Sequence, residues 1–241
     1  MRSVRAILGR LEEATYWRDK IARQTAENFY DDLHTFLDVD EKMLRRRLLP
    51  AQNGKFTVMA RAFSDEVPPN LIIVFTAPNG RFKGGMGNMG AMSALILACL
   101  HAPDDLTCLA TRVQKDVVVH EMIHFLDPGR GAGKSSARAM DAGGTNDYFN
   151  TSSEWNAYWQ EGAAQFERML RNKTAKIPNV FDVFFGDGSL KAIQDHVGKF
   201  WDVDFLDAMD ATTRRKFDKR LAALWDHLRE EGLLTPPTGK T

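Results

Sequence analysis

The feature that most constrains the fold of this chain is a five-residue H-E-x-x-H segment near its middle, from His120 to His124. Apolar residues recur around it at helical spacing, from Val113 to Phe125, and predict a helix over 111–125. On a helix, residues four apart lie on the same face, one turn from each other. The two histidine rings are therefore predicted to leave one face of a helix whose other faces are largely apolar.

This spacing is typical of a metal site. Two imidazole nitrogens on neighbouring turns can reach one zinc ion at about 2.0–2.1 Å. Glu121 projects beside His120 and His124, where a carboxylate can take a proton from zinc-held water without being a ligand. The alternative is a histidine pair satisfied by other partners in a core, because buried polar rings need hydrogen bonds. The helical context favours zinc.

A catalytic zinc needs a third protein ligand, with its fourth position left to water. Glu154 and Glu161 are the best candidates, on a helix predicted to begin near 151–152 and to continue past Met169. They are about 10 Å apart along the helix axis, so only one is expected to bind. The segment from Thr151 to Glu154 also fits a capping box, in which the Glu154 carboxylate would accept a hydrogen bond from the Thr151 backbone N–H instead of binding metal. Glu161 has the alternative of a surface carboxylate or a partner to a ligating histidine.

Other possible third ligands are weaker. Asp127 follows His124 by three residues and would have to fold back onto the metal. No local pattern recommends the remaining histidines, which are His34, His101, His196 and His227.

The order of these residues resembles the gluzincin branch of the zincin metallopeptidases, in which a Glu on a following helix completes the site. Many phage and bacterial zincin-like proteins share a run of aromatic, Asn, small residues, Glu, two further residues and Ala. The segment from Tyr148 to Ala157 has this pattern, with Glu154 as its Glu. The resemblance covers only the stretch from His120 to Glu161.

The resemblance implies one Zn²⁺ per chain, held by His120, His124 and Glu154, with Glu121 as general base. The chain departs from better-defined branches of the clan. Ser153 precedes the Glu where thermolysin-like proteins have Asn, and the metzincin pattern would need Gly at 127 and a ligand at 130. The resemblance therefore supports the clan and not a named peptidase.

The function that the resemblance implies is that of a zinc metallopeptidase, a hydrolase that cleaves peptide bonds through a zinc-activated water. The developing oxyanion needs a donor besides zinc. Tyr148, Tyr158 and His196 have suitable side chains, and Tyr148 is our choice for the second catalytic residue. A peptide or protein substrate is expected to add to an edge strand, for which Ala94–Leu100 is the candidate.

Two other functions stay open. One is a non-catalytic zincin-fold interaction protein with a structural or vestigial zinc site. The other is a zinc hydrolase that acts on something other than a peptide, which composition and motif do not separate from a peptidase.

The predicted fold class is α+β, with a small mixed β-sheet packed on the H-E-x-x-H helix and helical segments at both ends. The resemblance implies that this fold is zincin-like. A single domain is expected over 1–241, with a helical segment at 1–50, the sheet and zinc site at 51–170, and a helical segment at 171–241. Leu71–Phe75 is a β-branched run between prolines and predicts a buried strand.

Two further segments of this region bear on the sheet. Phe56–Phe63 alternates weakly between apolar and polar residues and is a second candidate strand. The glycine cluster Gly84–Gly90 predicts a flexible hairpin loop, or alternatively a mobile rim beside a cleft.

Composition excludes several classes of protein. The 241 residues carry 32 basic and 32 acidic side chains, so the chain has no overall attraction for nucleic acid or anionic membranes. No signal peptide or membrane-spanning run is evident, and a cytoplasmic location is expected.

Cys99 and Cys108 are predicted to be buried thiols in a reducing compartment. Gly129–Ser135 is similar to a P-loop but lacks its first glycine, so nucleotide binding is not expected there. The oligomeric state is not fixed by the sequence.

Overall fold

A computed structural model describes residues 4–79, 83–89, 91–126, 149, 151–174, 190–195 and 197–234. The fold is α+β, as predicted, with one five-stranded sheet and helices before and after it. Contacts between Cα atoms divide the chain into two compact units, Met1–Gly133 and Lys134–Thr241. The expectation of a single domain stays a prediction. Within the described ranges, no helix is long and apolar enough to cross a membrane.

The first unit begins with two helices, α1 (Val4–Leu37) and α2 (Glu41–Arg47), in the segment predicted to be helical. The helical segment is interrupted between them. The Asp40 carboxylate accepts a hydrogen bond from the Met43 N–H at 2.8 Å and caps α2. The buried face of α1 repeats at helical spacing because it packs on the core; its members are Ala26, Phe29, Leu33 and Leu37.

Five strands form the sheet of the first unit, in the order β1-β2-β3-β5-β4. Their bounds are β1 Leu49–Ala51, β2 Lys55–Met59, β3 Leu71–Thr76, β4 Gly84–Met89 and β5 Met92–Ala98. β3 and β5 are parallel and every other pair is antiparallel, so the sheet is mixed, as predicted. A short 3₁₀ turn, Ala60–Ala62, follows β2 where the alternating pattern predicted more strand.

The position of the sheet edge differs from the sequence prediction. The run Ala94–Leu100 was expected at the edge, but β5 lies between β3 and β4. An almost continuous apolar run suits a strand with a neighbour on both sides, and Leu95 is fully buried there. The edge strand is β4.

The glycine cluster was predicted to form a loop, and this is wrong for residues 84–89, which form the strand β4. Glycine weakens a strand through its conformational freedom. Here the antiparallel register with β5, which sets Gly85 opposite Ile96 and Gly87 opposite Ala94, supplies the backbone pairing. The strand is therefore specified by its neighbour and not by local propensity.

The H-E-x-x-H segment lies on α4 (Lys115–Leu126). The predicted helix over 111–125 is divided, because a separate turn of helix, α3 (Leu109–Arg112), ends at the extended residue Val113. α4 packs against α1, β4 and β5, so the sheet lies on this helix as predicted. Lys115 fixes its start on α1 through an ion pair with Asp31 at 2.9 Å.

The second unit is helical in its described parts. Its elements are α5 Ser152–Thr174, α6 Leu190–Gln194, a 3₁₀ turn Val197–Lys199, α7 Val203–Asp207 and α8 Ala211–Glu230. α5 begins where the sequence predicts it. The core between α5 and α8 is largely aromatic; its buried rings include Trp159, Phe166, Trp201, Phe205 and Phe217. Trp201 donates its indole N–H to the carbonyl oxygen of Trp159 at 3.1 Å.

The two cysteines differ in their environments. Cys99 is buried, and burial raises the pKa of its thiol to about 12. Cys108 is exposed, so the prediction of two buried thiols is wrong for this residue. It occupies a left-handed turn with φ of 53° at the start of α3, where the chain runs over the surface.

Candidate metal centre

The two histidines of α4 face each other across one helical turn. Their Nε2 atoms are 3.2 Å apart, and the ring centroids are separated by 4.9 Å with the planes at 74°. His120 is buried, with 8% of its surface exposed. Two imidazole nitrogens at this separation can share one proton, or they can bind one cation between them.

Glu154 of α5 completes the group. One ligand atom from each of His120, His124 and Glu154 lies within 4.8 Å of the other two. Glu154 is only 5% exposed. A buried carboxylate is costly unless positive charge or hydrogen bonds compensate it, and a cation beside two neutral imidazoles would supply that charge. In the part of the chain that the structure describes, this is the one group of His, Cys, Asp or Glu suited to hold a metal ion.

The donor set fits a divalent metal ion. Two nitrogens bound to one tetrahedral zinc at about 2.0–2.1 Å are about 3.3 Å apart. The observed 3.2 Å between the Nε2 atoms of His120 and His124 agrees with that value. One Glu154 carboxylate oxygen lies within 4.8 Å of the ligand nitrogens of both histidines. Two imidazoles and a carboxylate suit zinc and other borderline transition metals.

The packing of α4 determines which way its polar residues point. Val118, Val119, Met122 and Ile123 are buried, which fixes the rotation of the helix about its axis. Edge strand β4 lies against the same helix at Gly84. A Cβ at this position would meet Val117 Cγ1 at 2.5 Å and Glu121 Cγ at 3.6 Å.

A glycine cluster permits close backbone approach as well as a loop, but the sequence does not identify α4 as the element that Gly84 approaches. The Glu121 stem therefore lies beside the backbone of the edge strand.

Glu154 lies in the first turn of α5, where a helix favours negative charge. Its neighbours Trp155 and Asn156 are buried, and the rings of Trp155 and Trp159 stack at 6.1 Å with an interplanar angle of 8°. The backbone N–H of Trp155 donates to the Thr151 carbonyl oxygen at 2.9 Å. The predicted capping box from Thr151 to Glu154 stays a prediction.

Glu161 is not a member of this group in the part of the chain that the structure describes. It is half-buried two turns further along α5, and its Oε1 accepts a hydrogen bond from Gln165 Nε2 at 3.4 Å. Of the two carboxylates that the sequence left open as third ligand, Glu154 is the one that lies with the histidines.

The other sequence candidates lie elsewhere. His34 packs on Tyr30, His227 lies 3.7 Å from Glu230, and His101 is exposed. Tyr158, a candidate oxyanion donor, stacks on Phe205. Asp127, Tyr148 and His196 lie outside the described residues, so the choice of Tyr148 as a second catalytic residue stays a prediction.

Comparisons of the sequence and of the structure with known proteins give no match to any protein-family model, curated protein or solved structure. Function is therefore inferred from the geometry and chemistry of the centre itself.

Proposed function

We propose that this protein is a zinc-dependent metallopeptidase of the zincin type, with one zinc ion per chain held by His120, His124 and Glu154. The observation that carries the proposal is the buried group of these three donors, whose ligand atoms lie within 4.8 Å of one another. The H-E-x-x-H order places Glu121 directly beside the first ligand. Three protein ligands of this kind would leave room for a water molecule on the ion, as in catalytic zinc sites.

The chemistry divides between the ion and the protein. When bound, zinc polarises the scissile carbonyl and lowers the pKa of water to about 7. His120 and His124 bind as neutral rings, and Glu154 supplies the single negative charge. The set therefore leaves a net positive centre, which favours a carbonyl oxygen that gains negative charge.

Glu121 is the proposed general base. It takes a proton from the attacking water as the water oxygen bonds to the carbonyl carbon. It then gives that proton to the amine nitrogen as the C–N bond breaks. One water is consumed, and the products are a carboxylic acid and an amine. The stem of Glu121 lies beside Gly84 of β4, where an added Cβ would be 3.6 Å from Glu121 Cγ.

The proposed substrate-binding element is β4. Because β4 is at the end of the described sheet and packs on α4, an extended peptide could pair with its outer edge as one more strand. Three of its six residues are glycine, which leaves the backbone accessible. This assignment replaces β5, which already has a neighbour on both sides.

The test is hydrolysis of a panel of unfolded proteins and peptides by the zinc-loaded chain, compared with Glu121→Gln. This variant should retain zinc and lose about 10²–10⁴-fold in rate, because general acid–base catalysis contributes about that much. Glu161→Gln is the matched control and should retain both zinc and activity.

Each other outcome has a defined meaning. Normal turnover by Glu121→Gln would contradict the mechanism. Zinc binding without hydrolysis of any peptide would favour a non-catalytic interaction protein, and turnover of non-peptide substrates alone would favour another zinc hydrolase.

A further inference from the structure

Arg220 of α8 contacts the first two turns of α5, the helix whose first turn carries Glu154. Its Nη1 donates a hydrogen bond to Asn156 Oδ1 at 3.1 Å. Its guanidinium carbon lies 4.8 Å from the ring centroid of Trp155 and 5.8 Å from that of Trp159. One side chain therefore engages three residues of α5, of which two directly follow Glu154.

The residues of α5 that Arg220 contacts are buried. Trp155, Asn156 and Trp159 are 8%, 3% and 3% exposed, and Arg220 is half-buried. The guanidinium therefore combines cation–π contacts to two indole rings with a hydrogen bond to the Asn156 amide oxygen. The chemistry is specific to arginine, since a lysine ammonium has no plane to stack.

Fixing Trp155 and Asn156 also fixes the direction of Glu154. Successive helical residues project about 100° apart, so two anchored neighbours determine the rotation of the first turn. A rotation of about 20° would move a carboxylate about 6 Å from the helix axis by about 2 Å. A displacement of that size is as large as a metal–oxygen bond.

Arg220 is not needed to attach α8 to the core. The apolar face of this helix is buried without it, through Phe217, Leu221, Leu224 and Leu228. Shortening Arg220 should therefore leave α8 packed and release mainly the orientation of the α5 turn.

We propose that Arg220 is a positioning residue for the metal centre and holds the first turn of α5 so that Glu154 presents its carboxylate as a ligand. The inference rests on the proposed zinc site. It assigns a role to a residue 66 positions after the ligand that it supports, which no local motif would indicate.

The experiment measures zinc affinity of the full-length chain by competition with a chromophoric chelator, in wild type, Arg220→Gln and Arg220→Lys. Arg220→Gln should weaken zinc binding by about 10–100-fold, as the loss of residues that orient metal ligands does. Arg220→Lys keeps a cation over the rings and should fall between wild type and Arg220→Gln. If Arg220→Gln does not fold, the zinc affinity of Arg220→Lys relative to wild type tests the positioning role.

The matched control is Arg229→Gln. Arg229 also lies over an indole ring, at 4.8 Å from Trp225, but both residues are on α8. Zinc affinity should be unchanged in this variant. Thermal unfolding of the metal-free proteins shows whether either substitution acts through stability.

A double-mutant cycle tests whether the effect passes through Glu154. In the Glu154→Ala background, Arg220→Gln should cause no further loss of the residual zinc affinity. An equal loss in both backgrounds would overturn the positioning role, as would wild-type affinity in Arg220→Gln. If the wild-type chain itself binds no zinc, the proposed function fails and this inference with it.

Discussion

The helices α4 and α5 supply their proposed ligands in different ways. α4 is 12 residues long, packs on α1, the glycine-rich strand β4 and the apolar strand β5, and provides two nitrogens from one local motif. α5 is 23 residues long and provides one carboxylate, in a turn that Arg220 of the distant helix α8 contacts at Trp155 and Asn156. The first two ligands are thus a property of helix geometry, whereas the third depends on tertiary packing.

A glycine allows a close approach at each helix. Gly84 lets the backbone of β4 lie on α4 beside Glu121, and Gly162 lets the Trp201 ring lie on the backbone of α5. Removing each in turn tests whether the two helices are supported independently.

The largest effect is expected from Gly162→Ala. A Cβ there would meet three atoms of the Trp201 ring at 2.3–2.5 Å, and a rigid ring in a packed core has little room to move. Overpacking of this kind costs about 1–3 kcal/mol. We expect the free energy of unfolding, measured in urea, to fall by an amount near the upper end of that range.

Gly198→Ala is the control for this substitution, because its nearest neighbour would be an ordinary contact at 3.9 Å. Without a clash, alanine at position 162 within α5 would favour the helix over glycine by about 1 kcal/mol. Stabilisation by Gly162→Ala would therefore contradict the packing of Trp201 on α5.

Gly84→Ala should have a smaller effect on stability and a selective effect on catalysis. The new methyl group would meet Val117 Cγ1 at 2.5 Å and the Ile96 carbonyl oxygen at 3.3 Å, so β4 and α4 must separate slightly. We expect a loss of about 1–2 kcal/mol. Zinc binding should remain, while hydrolysis falls because Glu121 is displaced.

Gly87→Ala, in the same strand, would meet only Ile96 Cδ1 at 3.9 Å and is the matched control. Equal activity in the two variants would show that the β4 contact does not position Glu121.

The smallest effect concerns pH and the start of α8. The Asp210 carboxylate accepts a hydrogen bond from the Thr213 N–H at 2.6 Å, and this bond lowers the pKa of Asp210. Its stabilising contribution is therefore complete above the unfolded pKa of about 3.9 and is lost as pH falls through the lower folded value. Asp210→Asn keeps a cap without a titrating group.

Chemical denaturation of the two proteins between about pH 6 and pH 3 measures this difference. The wild type should lose more stability than Asp210→Asn below about pH 4. Parallel curves would show that the ionisation of Asp210 does not contribute to stability.

The sequence predicted the features that depend on neighbours along the chain. The histidine pair follows from a spacing of four on a helix, and β3 follows from an apolar run between prolines. Glu154 was reachable through the resemblance, whereas its place in the first turn of the helix also offered the alternative of a capping box. Its alternative, Glu161, has the same helical phase, and only packing separates the two.

Features that depend on partners distant in sequence were missed or wrong. The strand β4 is rich in glycine and forms because β5 pairs with it, so local propensity predicted a loop. The sheet order places β5 between β3 and β4; its almost continuous apolar run suits this place, but the pairing with β3 depends on residues distant in sequence. Arg220 carries no motif, and its contacts with Trp155 and Asn156 appear only when α8 packs on α5.

The most direct test of the metal centre is the zinc content of the purified protein, by elemental analysis after equilibration with zinc and dialysis. It is measured in wild type, Glu154→Ala and Glu161→Ala. The structure predicts one zinc per chain in wild type and Glu161→Ala, and a large loss in Glu154→Ala alone. Absence of zinc from the wild type, or a loss confined to Glu161→Ala, would contradict the centre formed by His120, His124 and Glu154.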